Sequence, residues 1–115
     1  MKYALLIYRD ETFFASEEGR QAMPGLVARF QAFSQDLGDR QVTNVRLKGS
    51  DTATTVREAE GNRTIHDGPF AETKEQLGGL YLIEVADLDA AIAVAMSLPV
   101  PPGGAVEVRP LVEMG

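Results

Sequence analysis

At 115 residues the chain has room for one hydrophobic core and not for two. Its 44% apolar and 24% charged residues are globular proportions, which excludes wholesale disorder. The absence of cysteine excludes disulfides, thiolate metal sites and cysteine nucleophiles, and a single histidine excludes a triple-histidine metal centre in one chain. Seventeen acidic against eleven basic residues leave a net charge of −6, which counts against nucleic acid as a partner. The apolar run after Lys2 is too short for a signal-peptide core, and no stretch approaches the length that spans a bilayer. A cytoplasmic chain with no membrane partner is therefore expected.

In chain order, Tyr3–Arg9 reads as a strand that is apolar on both faces, hence central and covered on each side. Ser16-Glu17-Glu18 is a helix start, because acidic side chains suit the partial positive charge of a helix N-terminus. Pro24-Gly25 predicts an interruption, unless Pro24 opens a second helix. Leu26, Phe30, Phe33 and Leu37 then recur on one helical face up to a stop at Gly38. Val42–Leu47 and Thr54–Ala59 read as short strands joined through Gly49-Ser50-Asp51, and Arg63–His66 as another extended piece after the turn at Glu60-Gly61-Asn62. Phe70–Leu77 reads as irregular and stopped by Gly78-Gly79, before a second strand apolar on both faces at Leu80–Val85. Asp87 is an N-cap for a helix with Leu88, Ala91, Ile92, Ala95 and Met96 on its apolar face. Val106–Val112 closes the chain as a strand, with Pro110 marking an edge or a bulge.

That order predicts one α+β domain over residues 1–115, a ferredoxin-like split βαβ fold with an extra hairpin strand and an antiparallel sheet. Two helices cover one face of such a sheet. The other face stays apolar, and the simplest cover is a second copy packed sheet to sheet, a homodimer.

The most unusual segment is His66-Asp67-Gly68-Pro69-Phe70-Ala71-Glu72-Thr73-Lys74-Glu75-Gln76-Leu77-Gly78-Gly79. It resembles the DGPF-type branch of the YCII-related proteins, which carry Asp-Gly-Pro-Phe, then Glu-Thr-Lys-Glu, then Gly-Gly before a strand. Lys2–Tyr8, the Tyr81–Asp89 strand-to-helix junction and Val106–Pro110 also sit where that family has them. The resemblance implies a ferredoxin-like domain that dimerises as an α/β barrel. It further implies a genomic setting beside sigma factors of the extracytoplasmic-function class, which makes a sigma factor a candidate partner. Related YCII proteins place a histidine and an aspartate together in a cleft, but their histidine lies in the first helical region, where this chain has none.

His66 and Asp67 are the candidate acid/base pair, since an imidazole titrates near neutrality and a carboxylate can fix its tautomer. With Ile65 packed under the helices, His66 would face the cleft or the dimer. The competing reading gives Asp67 an Asx-type turn over Gly68. Tyr8, Arg46, Phe70, Glu72, Lys74 and Tyr81 are candidate substrate contacts: Arg46 for an anion, the Tyr8 and Tyr81 hydroxyls lining a cleft, Phe70 as a stacking platform or a core anchor, and Glu72 and Lys74 in an ionic cluster at the cleft mouth. No metal motif, phosphate loop or cofactor fingerprint is present, so no cofactor is expected. Two functions remain open. One is a small-molecule enzyme using acid/base chemistry on an anionic organic compound; the other is a non-catalytic ligand-binding or regulatory module.

Overall fold

A computed structural model describes residues 1–113. The first strand, β1 (Lys2–Asp10), alternates as the sequence requires, with Tyr3, Leu5 and Ile7 buried and Ala4, Leu6 and Tyr8 half-buried on the opposite side. A five-residue helix, α1 (Glu11–Ala15), is capped by the Asp10 carboxylate. The long helix α2 (Glu17–Leu37) opens on Ser16, whose hydroxyl accepts from the Gly19 amide. Strand β2 (Gln41–Arg46) follows after a short turn. Strands β3 (Thr54–Ala59) and β4 (Asn62–Asp67) form a hairpin, and β5 (Glu75–Glu84) leads into α3 (Leu88–Ser97) and β6 (Ala105–Pro110).

The sheet is four-stranded and antiparallel in the order β2-β5-β1-β6. With α1 and α2 between β1 and β2, and α3 between β5 and β6, this is the split βαβ connectivity expected. It is an open sheet, not a closed barrel. Tyr3, Leu5, Ile7, Tyr81 and Ile83 pack against Phe33 and Leu37 of α2 and Ala91 and Val94 of α3. Val106 and Val108 extend this layer, being paired with Ile7 and Leu5. Pro110 sits on the edge strand, where its missing N–H costs the ladder nothing.

Several expectations need correction. Pro24 neither ends nor begins a helix; α2 runs through it. Arg20, Pro24 and Gly25 are all exposed, so water can take the place of the donor that the Arg20 carbonyl loses. Gly78-Gly79 does not stop a segment but lies inside β5, which begins at Glu75. The extra hairpin strand does not join the sheet, because β3 and β4 pair only with each other. Ile65 is accordingly 77% exposed rather than packed under the helices. On α3 the buried face runs through Ala91 and Val94, leaving Leu88, Ile92 and Met96 exposed. The small Ala91 lets the helix lie close on the sheet, which turns the larger residues outward. Asp67 makes no Asx turn: the residue two ahead is Pro69, which has no N–H, and the Gly68 amide donates to the Ala53 carbonyl at 2.7 Å.

Candidate functional site

The site begins at an irregularity in the central pairing. Ile7 stands opposite Gly79 and Tyr8 opposite Leu77, so Gly78 is an extra residue, a bulge in β5. A Cβ on Gly78 would lie 2.8 Å from Cδ of Arg9, so the missing side chain is the space the Arg9 stem occupies. A Cβ on Gly79 would lie 2.6 Å from the Val45 carbonyl oxygen, so the glycine lets β2 approach closely. The two glycines leave the helix-side surface of the sheet hollow at this end.

Around the hollow, Ile7, Gly79 and Tyr81 form the floor, Phe14 and Phe30 descend from α1 and α2, and Pro101 closes one side. The cavity holds about 50 Å³. That is room for a short apolar group; an aromatic ring needs a cavity on the order of 150 Å³. The ring of Tyr81 stacks near-parallel to Phe30 at 6.5 Å and edge-on to Phe33 at 5.2 Å. Its hydroxyl is hydrogen-bonded to the Ser34 hydroxyl at 2.9 Å. Tyr81 is thus fixed on all sides and presents a rigid wall.

Two arginines line this apolar hollow. Arg9 donates to the Leu47 carbonyl at 3.0 Å and lies 5.5 Å from the centre of the Phe14 ring. Arg46 ends β2 beside it. Neither is in an ion pair among the described residues, where the sole pair is Arg109–Glu107. Arginines with no ion-pair partner beside an apolar surface have N–H donors free for an anionic group. Arg9 and Phe14 also border a wider, more open cleft of about 670 Å³, lined by Glu11, Thr12, Met23, Asp51 and Lys74 among others. Glu11 is engaged there, accepting from the Ser50 amide at 2.8 Å and from its hydroxyl. Asp10, at the base of α1, is held below the ordinary carboxylate range, chiefly by the Thr12 hydroxyl that donates to it.

Of the residues singled out from sequence, Arg46 and Tyr81 meet in this cavity and Lys74 lies in the wider cleft. Tyr8 does not join them. It projects from the other face of the sheet, where its hydroxyl donates to Glu107 at 3.2 Å and Arg109 donates to the second oxygen of the same carboxylate at 2.7 Å. Glu72 is exposed in the connection before β5. Phe70 is 71% exposed, with the Arg57 guanidinium 4.6 Å from its ring centre. His66 and Asp67 are exposed at the end of β4. They pair with Thr55 and Thr54 respectively, so their side chains leave opposite faces of the hairpin. Sequence reasoning missed Arg9, Phe14, Phe30 and Pro101. The one available signal was Gly78-Gly79 next to a strong strand, since glycine inside a strand marks a bulge or a close approach. No group of three or more metal-ligating side chains gathers among the described residues, and none of the described helices is long and apolar enough to cross a membrane.

The whole chain, residues 1–115, matches the family model of the YCII-related domain. It is similar to an uncharacterised protein of Rhizobium meliloti (strain 1021), with 40% identity over 116 residues that span 96% of this chain and 92% of that protein. The conserved length and the family match lead to one conclusion: the chain belongs to the YCII-related family.

Proposed function

We propose that the protein is a binding module for a small organic anion, and that it works as a homodimer. The observation that carries the reading is the pair of arginines, Arg9 and Arg46, among the lining residues of an apolar cavity of about 50 Å³, neither of them in an ion pair among the described residues. A carboxylate would bridge the cations while a short aliphatic end enters between Phe14, Phe30 and Tyr81. The remainder of a larger ligand would extend into the cleft lined by Thr12 and Lys74. Acid/base catalysis through His66 has less support, because the imidazole is exposed on a separate hairpin and the adjacent Asp67 side chain points away from it.

The dimer reading, in the barrel arrangement of the DGPF-type branch, rests on the uncovered sheet face. That face carries Ala4, Leu6, Tyr8, Leu80 and Leu82 at its centre, with Val45 beside Leu80. Over its centre the charges balance, Lys2 opposing Glu84 and Arg109 pairing with Glu107, while Asp10 opposes Glu75 at one end. A chain of net charge −6 therefore holds one face whose centre is apolar and balanced in charge, which suits contact with a like-charged copy.

Calorimetric titration with butyrate tests the site. Charge-assisted hydrogen bonds contribute about 1.5–3 kcal/mol each, so Arg46→Gln is expected to weaken binding roughly tenfold to a hundredfold. Equal affinity in the wild type and in an Arg9→Met/Arg46→Gln variant would refute the site.

A further inference from the structure

The β3–β4 hairpin is regular along its whole length, pairing from Thr54 with Asp67 to Ala59 with Asn62. Beyond that pairing, neither strand packs extensively against another element of the chain. Two strands alone are marginal in water and need a third strand or a packing surface. One face of the hairpin is built for such a surface. Val56 and Ile65 stand opposite each other and are 59% and 77% exposed, with the Glu58–Arg63 cross-strand pair on one side and Thr54–Asp67 on the other. An apolar centre inside a polar rim is the anatomy of a protein interface.

The same chain carries a matching platform, the sheet face of Leu6, Leu80 and Leu82, which its own hairpin leaves uncovered. The radius of gyration is 16.0 Å, against about 13 Å for a compact domain of this length, so the molecule is more extended than a chain that covers its own surfaces. A two-fold pairing brings each arm to the other molecule and satisfies both surfaces twice. We propose that the hairpin is a clasp that reaches across to a second copy, laying Val56 and Ile65 on the margin of the partner's sheet layer. The inference rests on the dimer reading and adds to it the element that holds the two copies. Six strand residues reach about 20 Å, enough to cross the roughly 10 Å between stacked sheets. The hairpin is also close to neutral, with Arg57 and Arg63 against Glu58, Glu60 and Asp67, so it approaches an acidic partner with little repulsion.

Sedimentation equilibrium on three proteins separates the outcomes. The wild type is expected to dimerise, Leu82→Asp to be monomeric, and Val56→Asp/Ile65→Asp to dimerise at least a hundredfold more weakly with an unchanged far-ultraviolet spectrum. A double variant that dimerises like wild type overturns the clasp and leaves the dimer standing. A monomeric wild type overturns the dimer and the clasp together. Hydrogen exchange needs no variant: Val56 and Ile65 amides are expected to gain protection as protein concentration rises through the dimerisation range. Concentration-independent exchange of a wild type that does dimerise also overturns the clasp.

Discussion

Adding one methyl group at either of two adjacent positions, Gly79 or Gly78, is expected to have opposite consequences. At Gly79 the new Cβ would sit 2.6 Å from the Val45 carbonyl oxygen, where an ordinary contact begins near 3.4 Å. That oxygen belongs to backbone, so relief requires β2 and β5 to part by about 0.8 Å. Overpacking of this kind costs about 1–3 kcal/mol, offset by about 0.5–1 kcal/mol because alanine loses less backbone entropy in a strand. Gly79→Ala should therefore destabilise by about 1–2 kcal/mol, lowering the urea midpoint by roughly 1 M for a slope in the 1–3 kcal/mol/M range. At Gly78 the nearest atoms are Cδ, Nε and Cγ of Arg9, at 2.8, 3.0 and 3.2 Å. A flexible side chain can move aside, so the fold should lose less than about 1 kcal/mol. The movement takes the guanidinium from the Leu47 carbonyl and the Phe14 ring, so Gly78→Ala should bind butyrate about tenfold more weakly, the loss of one charge-assisted contact. Urea denaturation and calorimetry on the two variants check both halves. If Gly78→Ala is the less stable variant, or binds butyrate as tightly as wild type, the role given to the bulge is wrong.

Other substitutions probe the frame around the site. Pro24→Ala should stabilise the protein by about 1–3 kcal/mol in thermal or urea unfolding, because an exposed helix-interior proline becomes the best helix former. Asp87→Ala removes the carboxylate that accepts from the Ala90 amide at 2.9 Å, and should cost about 1 kcal/mol in the same measurement. Glu107 is held below the ordinary glutamate value of 4.5, first by the hydrogen bond from Arg109 and further by Tyr8. A depressed carboxyl contributes stability above its unfolded value, and that contribution is lost as pH falls through the folded value. An NMR titration should thus place Glu107 below the exposed glutamates, and Arg109→Gln should bring it back up.

Much of the frame was legible because it rests on local signals. Ser16 and Asp87 are caps whose acceptors need only the next turn of the helix, and both cap as read. Alternation in β1 and β5 identified the two central strands. The errors arose where a residue's meaning depends on what lies opposite. Pro24 breaks a helix only if its lost hydrogen bond cannot be replaced, and on the exposed side of α2 water can replace it. Gly78 and Gly79 read as punctuation, yet their purpose is set by Arg9 and by the Val45 carbonyl, both remote in sequence. The Val56–Ile65 pattern is that of any half-buried strand, and nothing local says that both side chains stay exposed in the folded chain. The cavity draws Arg9, Phe14, Phe30, Arg46, Tyr81 and Pro101 from separate elements, so no spacing rule could have gathered them. The His66–Gly79 segment stood out as a motif, but its glycines bear on the site more directly than its histidine.

The claim that a small anion is held between Arg9, Arg46 and the hollow beside Gly78 is tested most directly by following backbone amides during titration with butyrate. Saturable shifts at Arg9, Arg46, Gly78, Gly79 and Tyr81, abolished together by Arg9→Met/Arg46→Gln, are the predicted result. Shifts centred on Ile65–Gly68 of the hairpin, with the sheet end unmoved, would contradict it and return His66 to the centre of the chemistry.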